Sequence, residues 1–106
     1  MLFELRQYWS HPGKRDELVA IMEQEVIPLQ IRKGIAVVGS FVAEDDHDHF
    51  IWMRRFDSEE HRVEQYEAFY GSSEWNDDVA PRVRALLIRE RMLVTRMHPT
   101  STSALH

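Results

Sequence analysis

The sequence predicts an α+β protein with the ferredoxin-like order βαββαβ, in which a four-stranded antiparallel sheet carries its helices on one face. Two observations lead to this fold class. Stretches in which apolar and polar residues alternate are separated by two stretches with helical spacing, and only an acidic loop separates the two middle strands. A chain of 106 residues is long enough for one compact domain. We expect this domain to cover residues 1–99, with a polar tail at 100–106.

The first strand is predicted at the N-terminus, where the segment LFELRQYW alternates between two faces. Glu4, Arg6 and Tyr8 share one face of this strand, and Phe3 and Leu5 share the other. If two copies of the chain pack sheet against sheet, we expect the face with Glu4, Arg6 and Tyr8 to point toward the sheet of the other copy, and the face with Phe3 and Leu5 to point away from it. The most polar part of the strand is therefore expected to lie in an interface.

A helix is predicted after the HPG turn at 11–13, because apolar residues recur at helical spacing from Leu18 to Leu29, and Pro28 is expected to kink it. The second strand, IAVVGSFVA at 35–43, is apolar on both faces, so we expect both of its faces to be covered. Simple alternation places Ile35, Val37 and Phe41 on one side of it. After the acidic loop, His49 to Phe56 form the third strand.

The second helix is predicted to begin at Asp57, which has an N-cap side chain and is followed three positions later by Glu60, as in a capping box. Its apolar side is predicted to consist of Val63, Tyr66, Phe69 and Tyr70. A further helical stretch contains Trp75, Val79 and Val83, with Pro81 expected to bend it. Alternating charged and apolar residues from Ile88 to Met97 then predict an edge strand.

Composition narrows the class of protein. The chain has 13 basic and 18 acidic residues and a net charge of −5, which argues against nucleic-acid binding through phosphate neutralisation. It has no cysteine, so disulfides and Cys-ligated zinc are excluded. The N-terminal strand carries Glu4 and Arg6 where a signal peptide or a membrane span would be apolar. We therefore expect a cytoplasmic protein with no membrane span.

Several short motifs resemble one known family. The run from Phe3 to Tyr8, FELRQY, resembles the opening "yELRtY" of NIPSNAP domains, and Pro12-Gly13-Lys14 matches their "PGK" turn. Downstream, Phe56-Asp57-Ser58 with Arg62 resembles "YDS…R", and Ser73-Glu74-Trp75 resembles "peW". The motifs occur in the order and near the spacing of the family. The chain is thus similar to NIPSNAP proteins over most of its length.

The resemblance implies the dimeric α/β-barrel superfamily, in which two ferredoxin-like sheets face each other around a ligand pocket. The sequence supports a homodimer independently, because helices can cover only one face of the sheet and the apolar second strand leaves the other face in need of a cover. The same superfamily hosts small monooxygenases that need no added cofactor, haem-degrading enzymes and isomerases, so the fold does not select an activity. We expect no bound cofactor.

Glu4, Arg6 and Tyr8 are the main candidates for a ligand site. A guanidinium beside a phenol can hold a carboxylate or an enolate oxygen, while Glu4 orients Arg6 or acts as a base. The alternative is that Glu4 and Arg6 merely form an ion pair at the dimer interface. Trp52 and Arg54 share a face of the third strand and are expected to line the same pocket, although ordinary core packing also explains the aromatic residue.

Other polar clusters receive structural interpretations. His47-Asp48-His49 has metal-ligand residue types, but it falls in an acidic hairpin loop, so no metal is expected there. His11, His61 and His98 are scattered and are expected to be solvated or to cap neighbouring backbone. The arginines of the C-terminal third are expected to lie on a solvated helix and edge strand: Arg82, Arg84, Arg89, Arg91 and Arg96.

Two classes of function remain open. One is a homodimer that binds a small apolar or aromatic acid in a pocket between sheet and helices, either as a binding protein or as a cofactor-independent enzyme of the monooxygenase or isomerase type. The other is a non-catalytic dimeric adaptor in which Glu4, Arg6 and Tyr8 only complete the interface. The sequence contains no glycine-rich phosphate loop and no nucleophile elbow, so it does not decide whether a reaction is catalysed.

Overall fold

A computed structural model describes all residues from 1 to 106. Eight helical or strand elements are labelled below, and two π-helical segments and one 3-10 turn lie between them. In chain order they are β1 (Leu2–Trp9), α1 (Arg15–Ile21), a π-helical segment (Met22–Val26), α2 (Ile27–Arg32), β2 (Ala36–Val42), β3 (His49–Phe56), α3 (Glu59–Tyr70), a second π-helical segment (Trp75–Val79), α4 (Ala80–Leu86), a 3-10 turn (Arg89–Arg91) and β4 (Leu93–Met97).

The four strands form one antiparallel sheet in the order β2-β3-β1-β4. The central strands β1 and β3 pair along their whole length, and β2 and β4 are the edges. All helices pack on one side, so the α+β class, the ferredoxin-like order and the four-stranded antiparallel sheet predicted from the sequence are confirmed. No helix is long and apolar enough to cross a membrane.

The core lies between the sheet and the helices. On β3 every second residue is buried, and Phe50, Trp52, Arg54 and Phe56 point toward the helices. The β1–β3 register pairs Glu4 with Arg54, so the even-numbered residues of β1 face the same side. The layer between sheet and helices therefore contains charged side chains as well as aromatic ones.

Each of the two prolines inside the helices follows a π-helical segment. Pro28 comes two residues after Met22–Val26, and Pro81 two residues after Trp75–Val79. Proline lacks an N–H, and its ring collides with the carbonyl of the preceding turn, so the preceding turn widens to the i→i+5 pattern instead of ending the helix. The expected disturbance at Pro28 and Pro81 is confirmed, and both helices continue through it.

Two element boundaries differ from the sequence prediction. Ser58, not Asp57, is the N-cap of α3, because its hydroxyl accepts a hydrogen bond from the His61 backbone N–H over 3.0 Å. The last strand begins at Leu93 rather than at Ile88, since a 3-10 turn occupies Arg89–Arg91. Alternation of charged and apolar residues does not distinguish that turn from a strand.

Within the chain the second strand is covered on one face only, and the expected cover of its other face by a second subunit stays a prediction. The strand β2 is an edge strand, and Phe41 is 55% exposed. A β-bulge between Val37 and Gly39 shifts the register, so Val37 lies on the helix side opposite Arg54, while Phe41 lies on the open side opposite Ile51. The prediction that Val37 and Phe41 share a face is therefore wrong.

The open side of the sheet carries several apolar residues. Leu93 on β4 is 49% exposed, and the register places it on the same side as Phe41. The C-terminal tail folds back beside this side, where the Arg55 Nε donates a hydrogen bond to the carbonyl oxygen of His106 over 3.0 Å. On the helix side, Val63 of α3 is 40% exposed and is not part of the core, contrary to the prediction for that helix.

Candidate ligand site

A cluster of one carboxylate and two guanidinium groups lies at the centre of the sheet. The Arg54 Nη2 donates a hydrogen bond to the Glu4 Oε1 over 2.6 Å, and the Arg6 Nη1 lies 3.5 Å from the same oxygen. Glu4 and Arg54 are almost completely buried, and Arg6 is 8% exposed. The stronger ion pair of Glu4 is thus with Arg54 across the strands, and the contact with Arg6 is the weaker one.

Two tyrosines of α3 close the cluster from the helix side. The Tyr66 hydroxyl accepts from the Arg54 Nη2 over 2.6 Å and from the Arg6 Nη1 over 3.0 Å, and it donates to the Glu4 carboxylate. The Tyr70 hydroxyl accepts from the Arg54 Nη1 over 3.0 Å. Tyr66 and Tyr70 are one helical turn apart, so both hydroxyls reach the same charged group.

The structure corrects the predicted direction of this face. Glu4, Arg6 and Tyr8 point toward the chain's own helices, whereas the sequence analysis expected them to face a partner sheet. The burial of the charges of Glu4 and Arg6 is possible because Arg54 pairs with Glu4 and the Tyr66 hydroxyl bonds both Glu4 and Arg6. The Glu4–Arg6 contact of the alternative explanation is present, and within the chain it lies between the sheet and the helices.

The electrostatics leave this cluster with one excess positive charge. Burial by itself raises the pKa of Glu4, but the charge of Arg54 and the hydrogen bonds from Arg54 and Tyr66 outweigh it and lower the pKa below its usual value. Burial raises the pKa of Tyr8 and of Tyr66, so both phenols are neutral near pH 7. One carboxylate therefore stands against two guanidinium groups.

A cavity of about 180 Å³ opens beside this cluster, between the sheet and the helices. Three of the predicted site residues line it, Arg6, Tyr8 and Trp52, while Glu4 and Arg54 lie behind its wall. Its wall contains three arginines and no acidic residue. The complete lining is Arg6, Tyr8, Met22, Val26, Gln30, Trp52, Tyr70, Trp75, Val83, Arg84, Leu87, Arg89 and Met92.

Two hydrogen-bond donors at this wall have no partner in the chain. Arg6 donates from Nε to the Tyr8 hydroxyl over 3.1 Å and from Nη1 to Tyr66 and Glu4, but its Nη2 makes no hydrogen bond. The buried indole Nε1 of Trp52 has no partner either. The Trp52 Nε1 is fully enclosed by the chain, so the Arg6 Nη2 is the donor that remains open to an acceptor from a ligand.

The histidines do not contribute to this cavity. His49 stacks on Trp9 with ring centroids 4.2 Å apart, and its Nε2 lies 2.9 Å from the Gln7 side-chain oxygen. His47 is exposed in the hairpin loop, where Asp48 accepts a hydrogen bond from the Gly13 N–H over 3.1 Å. No group of three or more His, Asp or Glu side chains in the chain is placed to hold a metal ion.

The sequence analysis missed four residues of the site. Tyr66 and Tyr70 were assigned to the apolar side of a helix, and their spacing of four residues on that side is the signal that two hydroxyls enter the core together. Arg84 and Arg89 were assigned to a solvated surface. No sequence signal separates them from the other arginines of the C-terminal third.

Comparisons with known proteins agree with the resemblance that the sequence motifs indicate. The NIPSNAP family model matches residues 3–104. A NIPSNAP family protein from Agrobacterium tumefaciens is 25% identical, with a TM-score of 0.87 over 99% of this chain and 98% of its own. A NIPSNAP domain protein from Burkholderia xenovorans is 21% identical, with a TM-score of 0.86 over 97% and 98% of the two chains. No curated protein matches the chain.

More distant structures share only the fold. An antibiotic biosynthesis monooxygenase is 16% identical and has a TM-score of 0.69 over 94% of this chain and 99% of its own. At that identity the similarity concerns the arrangement of strands and helices and not the site.

Proposed function

Since the chain belongs to the NIPSNAP family, we propose that it is a homodimer in which each subunit binds a small apolar or aromatic acid in the cavity between its sheet and its helices. The acid group pairs with Arg6, and the apolar part lies against the aromatic and aliphatic wall. Glu4, which is paired with Arg54, and Tyr66 hold Arg6 in place from behind, and Tyr8 and Trp52 contact the ligand.

One observation carries this proposal. The Arg6 Nη2 has no hydrogen-bond partner, and Arg6 lies in the wall of a cavity that no acidic residue lines. A guanidinium with an open donor in a mostly apolar cavity favours a carboxylate, because the charge-assisted bond forms where water is largely excluded. The volume of about 180 Å³ is below the ~300–1,000 Å³ of drug-sized pockets and therefore favours a small ligand.

The homodimer is supported by the open side of the sheet. Phe41 and Leu93 are about half exposed on that side, and Ile51 and Met53 lie between them in the sheet. Apolar patches of this kind are usually covered by another subunit, and a two-fold axis would place the same patch of a second copy on it. The ligand cavity lies on the other side of the sheet, so each subunit has a complete cavity of its own.

Titration calorimetry with benzoate and hexanoate tests the acid-binding part of the proposal. We expect Arg6→Met to weaken binding by about 2–5 kcal/mol, because the carboxylate then enters the cavity without its partner. Arg82→Met removes an arginine whose ion pairs with Glu25 and Asp78 lie on the surface, and it should leave the affinity unchanged. Unchanged affinity in a folded Arg6→Met protein would show that the proposed site is wrong.

A further inference from the structure

We infer that the ligand of this cavity is a diacid, with one acidic group at Arg6 and a second at Arg84 and Arg89, joined by a short apolar segment. The inference deepens the proposed function and rests on it. It concerns the chemical class of the ligand, since a cavity with one cationic end would select monoacids and a cavity with two cationic ends selects diacids.

Arg84 and Arg89 differ from most other arginines of the protein in having no partner. Both are exposed and line the cavity, and neither takes part in an ion pair or a side-chain hydrogen bond. Most of the remaining arginines make such contacts; Arg82, for example, pairs with Glu25 and Asp78. In a chain with 18 acidic residues, two unpaired arginines at one cavity point to an anion from outside the chain.

The chain places these two arginines at a different end of the cavity from Arg6. Leu87 forms a bridge with Ser10, and the Ile88 N–H donates to the Trp9 carbonyl over 2.8 Å, so the segment from 84 to 89 crosses the end of β1. Ser10 is four residues beyond Arg6, which corresponds to about 13 Å along a strand. Burial distinguishes the two ends directly, because Arg6 is 8% exposed at the inner end of the cavity whereas Arg84 and Arg89 are exposed at its opening.

Apolar side chains line the space between the two ends. They come from the π-helical segment after α1, from α4 and the residues around it, and from the segment before β4: Met22, Val26, Trp75, Val83, Leu87 and Met92. A ligand that reaches both ends must therefore be apolar in its middle part. Without a ligand the cavity carries three like charges, and two bound carboxylates would offset most of that repulsion.

Matched pairs of probes test the inference by titration calorimetry. Adipate is compared with hexanoate and terephthalate with benzoate, because each pair has one apolar skeleton and differs in the second carboxylate. We expect each diacid to bind the native protein about tenfold more tightly than its monoacid, since two exposed ion pairs of modest strength are added. The advantage should fall as salt is raised, because the second site is exposed.

Three variants localise the effect. Arg84→Ala combined with Arg89→Ala should remove the tenfold preference for the diacids and leave the affinity for the monoacids unchanged. Arg32→Ala removes an exposed arginine that has no ion pair and does not line the cavity, and it should preserve the preference. Arg6→Met should weaken the binding of all four probes.

The outcomes separate this inference from the proposed function. If diacids and monoacids bind the native protein equally and both depend on Arg6, the inference of a diacid is wrong and the proposal of an acid site at Arg6 is supported. If the preference survives the loss of both Arg84 and Arg89, the second acid group binds elsewhere and the inference is again wrong. If no probe binds, or if binding does not depend on Arg6, both proposals fail.

Discussion

Glu4 and Arg54 lie opposite each other on the two central strands, and both side chains are buried while their charged atoms are 2.6 Å apart. The two residues are separated by 50 positions in the sequence. Their pairing explains how the sheet tolerates charges on the side that faces the helices, where hydrogen bonds to Tyr8 and Tyr66 hold Arg6 at the cavity wall.

Arg54→Met should strongly destabilise the protein. It leaves the weaker contact to Arg6 as the only ion pair of the buried Glu4 carboxylate, beside the hydrogen bond from Tyr66. Loss of one partner of a buried pair costs about 3–5 kcal/mol. Urea unfolding measures the change. The control is Arg82→Met, whose ion pairs are at the surface and whose loss should cost about 1 kcal/mol or less. If both variants lose the same free energy of unfolding, the buried pair contributes no more to stability than the surface ion pairs of Arg82.

Glu4→Gln should change how stability depends on pH. Because the folded protein lowers the pKa of Glu4 below its ordinary value of about 4.5, ionised Glu4 stabilises the fold above that pH, and this contribution is lost as the pH falls through the folded pKa. The native protein should therefore exceed the variant in unfolding free energy above about pH 4.5, and the difference should shrink at lower pH.

The measurement for Glu4 is a series of urea unfolding curves between neutral and acidic pH. Glu67→Gln is the control, since Glu67 is exposed and its side chain has no hydrogen bond or ion pair. This control should follow the native protein at every pH. A gap between the native protein and Glu4→Gln that stays constant down to the lowest pH would contradict the assignment.

The sequence analysis identified the strands, the helices and the shared face of Glu4, Arg6 and Tyr8, because alternation and helical spacing are local patterns. It did not identify which face of β1 meets the helices. Phe3 and Leu5 made the other face look like the core side, and the partner that neutralises Glu4 lies on a distant strand. Alternation predicts which residues share a face of a strand, but the contacts of that face depend on how distant strands and helices pack in three dimensions.

The same limit applies to the second strand and to the arginines. The bulge between Val37 and Gly39 inverts the faces of β2, and a single inserted residue leaves no clear mark in an apolar run. Arg84 and Arg89 become part of the site only because Leu87 bridges to Ser10 at the end of β1. That contact joins distant segments and has no counterpart in local spacing.

Tyr8→Phe should weaken the binding of benzoate by about 1 kcal/mol, or roughly fivefold. The Tyr8 hydroxyl accepts the hydrogen bond from the Arg6 Nε, and its loss lets the guanidinium turn away from the position that holds the carboxylate. Titration calorimetry measures the change. Tyr70→Phe is a matched control, because Tyr70 also lines the cavity but its hydroxyl binds Arg54. If Tyr70→Phe weakens binding more than Tyr8→Phe, Arg6 is not the anchor.

A charge on the open side of the sheet should dissociate the proposed homodimer. Phe41→Asp places a carboxylate in the apolar patch, and in a two-fold interface the same charge enters twice, so the dimer would have to bury two unpaired anions. Light scattering after size-exclusion chromatography should give twice 12.6 kDa for the native protein and 12.6 kDa for the variant. Val63→Asp introduces the same charge at an exposed apolar residue of α3, on the helix side, and should remain a dimer. Circular dichroism separates dissociation from unfolding, since a dissociated but folded Phe41→Asp chain keeps its helical signal.

Two outcomes would contradict the proposed interface. A native protein that elutes at 12.6 kDa at micromolar concentration would rule out the homodimer. A Val63→Asp variant that dissociates while Phe41→Asp does not would place the interface on the helix side.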